Sequence, residues 1–360
     1  MSDEVRGIRS LFVFLFVALP LASMLYFTPM HTSFSSRFAK TIDGRNASFR
    51  ATGGPTPAKS VFRHRRFSQR ATSPCYTVGF PFPNPRNGLG NHLFYYAGTL
   101  YVAWLTGRRP LILTSSTRMI LDRAFNVSTT RLRKQNKCPV KRIRLRFAYG
   151  YDSTVGDLIN VNSSVSIHVV AGFCSWRYTQ PIEDQLRREL RFRPHLTTFA
   201  EKFLSSNVPH GWKASTFVRI GVHVRRRDFL SSWANARGFT VATEHYLYRA
   251  MTYFASRFQR VQFIVCSNDI SWCLKKIHQS SFNRKLVNIT FSIKHTTEED
   301  LALLASCNHT VMSTGTFSWW ASWLANGTTV YYKNFARYGS SLWRDSRAAD
   351  YFPPTWIGLN

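Results

Sequence analysis

The second half of the chain alternates between short, β-prone apolar runs and helical stretches, and this pattern constrains the fold most strongly. Five runs are predicted strands, at 217–224, 261–266, 287–292, 309–313 and 328–332. The helices predicted between them cover 243–258, 270–278, 297–307 and 316–325. Such alternation is typical of a parallel, doubly wound sheet, so we predict an α/β fold.

The first half contains one further unit of the same type. A predicted strand at 75–80 is followed by a loop rich in Pro and Gly, a buried helix at 91–105 and a second strand at 109–114. Two such halves facing each other across a cleft suit a nucleotide-sugar transferase as readily as a dehydrogenase. The predicted domains are, in order, 73–212, 213–345 and a C-terminal tail at 346–360.

The N-terminal residues differ in composition from the rest of the chain. Residues 11–30 carry no charged side chain and are just long enough to span a bilayer as a helix. Residues 31–72 are rich in Ser, Thr, Gly, Pro and Arg and show no period, which indicates a stem. We predict a short cytoplasmic tail at 1–10 and an uncleaved signal anchor at 11–30. A cleavable signal peptide is the alternative.

Two further features favour a lumenal location for the folded part. Six N-x-S/T sequons are candidate glycosylation sites: Asn46, Asn126, Asn162, Asn288, Asn308 and Asn326. The six cysteines are compatible with three disulfides in an oxidising compartment, and their spacing does not reveal the pairing. Buried, reduced cysteines are the alternative.

The chain is strongly basic, with a formal net charge of +30 from 48 basic and 18 acidic residues. This excess suits an anionic partner, such as a nucleotide, a nucleic acid, or an acidic membrane or glycan. The sequence contains no zinc-finger spacing, RNP motif or basic recognition helix, so we do not expect a nucleic-acid partner.

The hexapeptide 223–228, HVRRRD, follows the predicted strand 217–224 and carries the main candidate site residues. Ligands of open α/β sheets bind just outside the carboxyl ends of the strands. Arg225 and Arg226 could each grip two oxygens of one phosphate, and His223 and Asp228 lie beside them. A basic loop paired with local acids is the alternative interpretation.

Three other segments could complete an anion site. Thr316 and Ser318 open a helix after a strand, where backbone N–H groups and the helix dipole favour phosphate. Asp300, 16 residues earlier, could accept hydrogen bonds from the N1–H and 2-amino groups of guanine, although acids in a first turn usually only complement the dipole. Gly88, Gly90 and Asn91 form a glycine turn entering a helix, where contact with phosphate or acceptor is plausible.

The sequence lacks an Asp-x-Asp pair and any His or Cys cluster with zinc spacing. We therefore predict no metal site, with arginines supplying the charge that compensates a diphosphate. The three tryptophans at 319, 320 and 323 are predicted to be core residues rather than a sugar platform.

Four segments resemble the galactoside 2-α-L-fucosyltransferase family over about Val78 to Phe335: GVHVRRRDF, SNDISWC, EEDLALLASCNHTVMSTGTFSWWASWLANGTTVYYKNF and GLGNHLFYYAGTLY. The resemblance implies a GT-B-like fold of two Rossmann-like domains facing a cleft. It also implies GDP-fucose as donor, inversion at fucose C1, no metal or other cofactor, and a single-pass type II Golgi membrane protein with a lumenal catalytic domain.

The implied acceptor is a galactose-terminated glycan of a glycoprotein or glycolipid, fucosylated at O2. A different linkage, or a non-catalytic glycan-binding relative, is the alternative. By matching motif, Arg225 and Arg226 would hold the diphosphate, with His223 beside the nucleotide. Asp300 would read guanine, and the hydroxyls at 316 and 318 would contact phosphate. Asp228 is the nearest candidate for the catalytic base, with His223 as a second candidate.

The sequence departs from the family pattern at two places. Arg227 stands where many relatives have glycine, and Asn91-His92 stands where vertebrate relatives usually have Asn-Gln. Neither change removes a predicted donor contact, and both leave the choice of acceptor open.

Overall fold

The structure is a computed structural model that describes residues 75–79, 87–128 and 138–360, all within one compact unit, His64–Asn360. The predicted cytoplasmic tail, signal anchor and stem, with the sequon at Asn46, lie outside the described residues. Within the described ranges, no helix is both long enough and apolar enough to cross a bilayer.

The first half builds a four-stranded parallel sheet. Its strands are β1 (Tyr76–Gly79), β2 (Arg109–Pro110), β3 (Val140–Arg144) and β4 (Ser166–Val170), in the order β2-β1-β4-β3. β2 is shorter than the predicted strand at 109–114. Pro110 has no N–H to donate, and such residues are confined to edge strands or strand ends.

The helices of this half are α1 (Leu89–Thr106), α2 (Ser115–Ala124), α3 (Trp176–Thr179), α4 (Glu183–Glu189) and α5 (Pro194–Ser206). α1 begins two residues before the predicted helix, and Gly107, with φ of 66°, ends it as the sequence predicts. Most of α1 is buried, because it packs between its own sheet and the second half of the chain.

The second half builds a six-stranded parallel sheet in the order β10-β9-β8-β5-β6-β7. Its strands are β5 (Val218–Val224), β6 (Val261–Ser267), β7 (Val287–Phe291), β8 (His309–Met312), β9 (Thr329–Tyr332) and β10 (Ile357–Leu359). The helices are α6 (Ser232–Arg237), α7 (Glu244–Ala255), α8 (Ile270–Lys276), α9 (Thr297–Ala305), α10 (Thr316–Ala325), α11 (Ser341–Arg344) and α12 (Ala348–Tyr351). The predicted α/β class with parallel strands is therefore confirmed.

The strand order contains a topological switch point between β5 and β8. The chain runs from β5 outward to β6 and β7, and then returns to the other side of β5 as β8. Connections leave these two strands toward opposite faces of the sheet, which opens a crevice at their carboxyl ends. The topology alone thus places the segments after Val224 and Met312 at a ligand-binding position.

The segment predicted as a tail, 346–360, is instead part of the fold. It forms α12 and β10, and β10 pairs with β9 at the edge of the six-stranded sheet. The carbonyl of Tyr351 also accepts a hydrogen bond from Trp319 Nε1 at 2.8 Å. The segment was missed because β10 is only three residues long, too short to show a strand pattern, and a Pro-Pro pair lies shortly before it.

One hydrophobic cluster joins the two halves through α1 and α10. The Phe94 ring lies 4.8 Å from Trp319 and 5.0 Å from Trp320, between ring centroids. Trp319, Trp320 and Trp323 are all buried, so the prediction that they are core residues is confirmed.

The expectation of three disulfides is wrong. Cys75 and Cys138 form a disulfide, whereas the thiols at 174, 266, 273 and 307 are free and buried. Each free cysteine fills space in the core as a small apolar side chain, which is the alternative considered from the sequence.

Candidate functional site

A cavity of about 290 Å³ lies at the switch point, outside the carboxyl ends of β5 and β6 and beside the start of α10. The first turn of α1 closes it from the other half of the molecule, and the first turn of α9 contributes a further wall. Eight of the ten predicted catalytic and donor-binding residues line it: Gly88, Gly90, Asn91, His223, Arg225, Asp228, Asp300 and Thr316.

His223, near the end of β5, is buried and held by α10. Its Nδ1 lies 2.5 Å from Ser318 Oγ, and its ring packs 4.7 Å from that of Phe317. Because Ser318 donates its own hydrogen to the carbonyl of Thr314 at 3.1 Å, its oxygen accepts from His223 Nδ1–H. The neutral imidazole therefore keeps its lone pair on Nε2.

Burial lowers the pKa of His223 to about 3, and the neighbouring Arg225 charge lowers it further than Asp228 raises it. The imidazole is thus neutral throughout the physiological range. A base this weak can accept a hydrogen bond from a ligand hydroxyl, but it takes a proton poorly.

Arg225 lies over the loop that opens α10. Its backbone N–H donates to Ser313 Oγ at 2.9 Å, and its guanidinium stacks 4.3 Å from the Phe229 ring centroid. A Cβ added to Gly315 would lie 2.8 Å from Arg225 Nη1, so the guanidinium touches the loop backbone directly. Only glycine permits this approach at a φ of 91°.

Asp228 fixes the orientation of Arg225. It accepts bonds from Arg225 Nε at 3.0 Å and Nη2 at 2.5 Å, and one from Asn268 Nδ2 at 3.0 Å. Burial acts to raise the pKa of Asp228, but the hydrogen bonds and charge of Arg225 outweigh it and hold that pKa below its usual value. The carboxylate is therefore ionised and occupied by its partners.

The side chain of Arg226 contacts different residues from that of Arg225 and does not line the cavity. Its backbone N–H donates to Asn268 Oδ1 at 2.8 Å, and its Nε lies 3.5 Å from Asp269 Oδ2. Its guanidinium lies 4.5 Å from the Trp272 ring centroid. The two adjacent arginines that the sequence presented as equivalent are thus directed to different neighbours.

The loop 313–316 presents a helix start to the cavity. Thr316 begins α10 and donates from Oγ1 to Asn91 Oδ1 at 3.1 Å, which links the two halves across the cavity. Ser318 was predicted to contact phosphate, but it is buried and engaged by His223, outside the cavity lining. Its hydroxyl points inward because it lies half a helical turn beyond Thr316.

The first turn of α1 approaches α10 very closely. A Cβ added to Gly90 would lie 2.5 Å from the backbone N of Phe317, whereas one added to Gly88 would meet nothing within 4 Å. Gly90 is therefore required for the contact between the two helix starts, and Gly88 is not.

Asp300 lies in a hydrogen-bonded cluster on the far wall. Its Oδ1 accepts from Ser292 Oγ at 2.6 Å, and Ser292 Oγ lies 2.6 Å from His295 Nδ1. Burial raises the pKa of Asp300, against bonds from Ser292 and the Cys266 thiol that lower it. Both Asp300 and His295 face the cavity, so its far wall offers hydrogen-bond acceptors.

Ser292, His295 and Asn268 were missed by the sequence reasoning. Asn268 follows β6, so the strand-end rule that identified Arg225 also applies to it. The same rule applies to the loop 292–296, which follows β7 and carries Ser292 and His295. In the described part of the chain, no three His, Cys, Asp or Glu side chains lie close enough together to hold a metal ion.

The described sequons differ in their surroundings. Asn126 and Asn162 are exposed, whereas Asn288 is half-buried within β7. The side-chain oxygens of Asn308 and Asn326 accept bonds from the Arg219 backbone at 2.9 Å and from Arg187 at 2.8 Å. Glycosylation remains a prediction at all of them.

The comparisons with known proteins agree over most of the chain. The model of glycosyl transferase family 11 matches residues 72–360. Galactoside α-(1,2)-fucosyltransferase 1 of Rattus norvegicus is 33% identical over 283 residues, which cover 77% of this chain and 72% of the rat protein. The Homo sapiens protein of the same name is 32% identical over 315 residues, which cover 85% and 80% respectively.

Two solved structures are similar at a lower level. POFUT1 in complex with GDP gives a TM-score of 0.45 at 11% identity, covering 71% of this chain and 98% of that one. The glycosyl transferase family 9 protein from Veillonella parvula gives 0.43 at 13% identity, covering 81% and 88%.

Proposed function

This chain belongs to glycosyl transferase family 11, and on that premise we propose that it moves L-fucose from GDP-fucose to O2 of a terminal galactose. The resemblance noted in the motifs is confirmed, since the relatives are named galactoside α-(1,2)-fucosyltransferases. The acceptor would be a glycan of a glycoprotein or glycolipid, and the architecture GT-B-like, with two parallel sheets flanking the cavity.

The observation that carries the proposal is the contact of Arg225 with the loop that opens α10. Its guanidinium touches Gly315, where the N-terminus of α10 is directed toward the cavity. A diphosphate at this position would meet a fixed cation and the positive end of a helix dipole together. Both act more strongly as the bond to C1 breaks and charge grows on the β-phosphate.

The far wall suits a guanine base. Asp300 faces the cavity with a carboxyl group already positioned by Ser292, and it could accept the N1–H and 2-amino hydrogens of guanine. The donor would then span the cavity from Asp300 to Gly315, with the fucosyl group directed toward the outer opening.

The reaction we propose is a single in-line displacement with inversion at C1. The acceptor hydroxyl attacks C1 as the bond to GDP breaks, and its proton passes to the β-phosphate oxygen that leaves. Arg225 supplies the compensating charge with no metal ion or other cofactor required. We assign Asp228 to holding Arg225, because both its oxygens are occupied. We assign His223 to accepting a hydrogen bond at Nε2, because its pKa of about 3 makes it a weak base.

The proposed location is the Golgi membrane, with a single type II anchor and the folded part in the lumen. The Cys75–Cys138 disulfide supports this, because disulfides persist in oxidising compartments. The predicted partners are therefore GDP-fucose, galactose-terminated glycans and the membrane, without nucleic acid.

The test is transfer of labelled fucose from GDP-fucose to a panel of β-galactosides in the presence of EDTA, with the product linkage read by NMR. We expect an α-(1,2) product. Transfer at another position would overturn the linkage, and transfer abolished by EDTA would overturn metal independence. Glycan binding that is independent of GDP, without transfer, would favour a non-catalytic relative.

A further inference from the structure

One large aromatic side chain on α6, shortly after Asp228 in the chain, is exposed without an evident structural reason. Trp233, in the first turn of α6, is 60% exposed. Its indole lies against the Phe239 ring, with centroids 5.8 Å apart and planes 29° from parallel. One face is thus covered by protein, and the other is open to solvent.

A continuous stack of rings connects Trp233 to the loop 313–316. Phe239 lies 4.5 Å from Phe229, between centroids. Phe229 in turn touches Gly315, since a Cβ there would lie 3.5 Å from Cζ of the phenylalanine ring, and it carries the Arg225 guanidinium at 4.3 Å. The rings of Phe239 and Phe229 therefore lie between the indole and the position proposed for the diphosphate.

The helix that carries Trp233 is fixed at both ends. Ser231 caps its start by accepting from the N–H of Ala234 at 3.3 Å. At its end, Arg337 donates to the side chain and the backbone carbonyl of Asn235, both at 2.7 Å. The backbone that carries the indole is thus fixed before any ligand arrives, which reduces the entropy that binding would cost.

We propose that the open face of Trp233 is the platform for the acceptor sugar, a neutral β-galactoside whose apolar C–H face stacks on the indole. This deepens the proposed function and rests on it, because the acceptor hydroxyl must reach fucose C1 near the β-phosphate. Sugar rings present an apolar face with hydroxyls at the rim, and tryptophan offers the matching flat apolar surface at low entropy cost.

A second exposed aromatic pair provides a matched control. Tyr338 is 83% exposed and Trp343 is 44% exposed, with ring centroids 4.8 Å apart. Among the described residues, no ring contact joins this pair to Phe229 or Arg225. Loss of Trp343 thus removes a comparable exposed indole that lies outside this stack of rings.

The experiment compares Trp233→Ala, Trp233→Phe and Trp343→Ala, with lactose as acceptor and thermal unfolding to check folding. For Trp233→Ala we expect the KM for lactose to rise about tenfold, the loss of roughly one aromatic contact. The KM for GDP-fucose should be unchanged. Trp233→Phe should recover most of the loss, and Trp343→Ala should match the wild type.

An unchanged lactose KM in Trp233→Ala would overturn the platform, as would a larger rise in Trp343→Ala or an equal rise in both KM values. Saturation-transfer NMR with lactose separates this result from failure of the proposed function. If the wild type binds lactose through Trp233 but transfers no fucose, the platform stands and the function falls. If it neither binds nor transfers, both fall.

Discussion

The two parallel sheets contribute to the cavity in different ways. The six-stranded sheet provides the charged groups, because β5 leads directly to Arg225 and Asp228, and α9 carries Asp300. The four-stranded sheet provides only the first turn of α1, which contacts α10 mainly through backbone at Gly90. Donor chemistry is thus concentrated at one switch point, while the other half sets the shape of the cleft.

The strongest test of this asymmetry compares the adjacent residues Arg225 and Arg226. For Arg225→Ala we expect kcat to fall about 10²- to 10³-fold, because the guanidinium that stabilises the leaving diphosphate is lost. For Arg226→Ala we expect a fall of roughly tenfold, since that residue contacts Asp269 and Trp272 instead. Steady-state kinetics measures both, with the exposed Arg227→Ala as control. Equal losses at 225 and 226 would contradict the assignment.

The next effect concerns recognition of the guanine base by Asp300. Asp300→Asn should weaken GDP binding about 30- to 100-fold, the loss of a charged hydrogen-bond acceptor worth about 2–3 kcal/mol. Binding of IDP, which lacks the 2-amino group, should weaken less. Calorimetry of both nucleotides tests this, with Glu298→Gln as the control in the same helical turn. An equal loss of affinity for GDP and IDP would contradict recognition of the guanine 2-amino group by Asp300.

A smaller effect should follow from disturbing the four-stranded half. Gly90→Ala places a methyl group 2.5 Å from the Phe317 backbone, so the two helix starts must separate. Overpacking of this kind costs about 1–3 kcal/mol of unfolding free energy. Urea unfolding measures it, and Gly88→Ala, where the methyl group meets open space, should keep wild-type stability. Equal stability of the two variants would show that the close contact is not required.

A further effect, on the six-stranded side of the cavity, depends on pH. The folded-state pKa of His223 is about 3, below its ordinary 6.5, so the unfolded chain binds this proton first as the pH falls. The contribution of neutral His223 to the unfolding free energy is complete above about pH 6.5. As the pH falls below that value, this contribution decreases by up to about 1.4 kcal/mol per pH unit. His223→Gln lacks this dependence, so its difference from the wild type in unfolding free energy should change between pH 7 and 4. A constant difference would exclude a neutral, buried His223.

The sequence predicted five of the six strands of the six-stranded sheet and its four longest helices, because these elements show a clear pattern, and α10 falls at the predicted bounds. It did not predict which side chains at the ends of these elements face the cavity. Arg225 and Arg226 are neighbours of the same type, and only their contacts with Gly315 and Trp272 separate them. Ser318 shows a similar limit, since its hydroxyl bonds His223 inside the fold.

The sequence alone thus determined the α/β class, the family and the group of segments from which the site is built. These depend on local periodicity and on motifs that are read along the chain. Tertiary structure decided which side chains reach the cavity, which cysteines pair, and that the last residues complete the sheet. Those outcomes depend on contacts between residues far apart in the sequence, such as Thr316 with Asn91, whose distance no local pattern encodes.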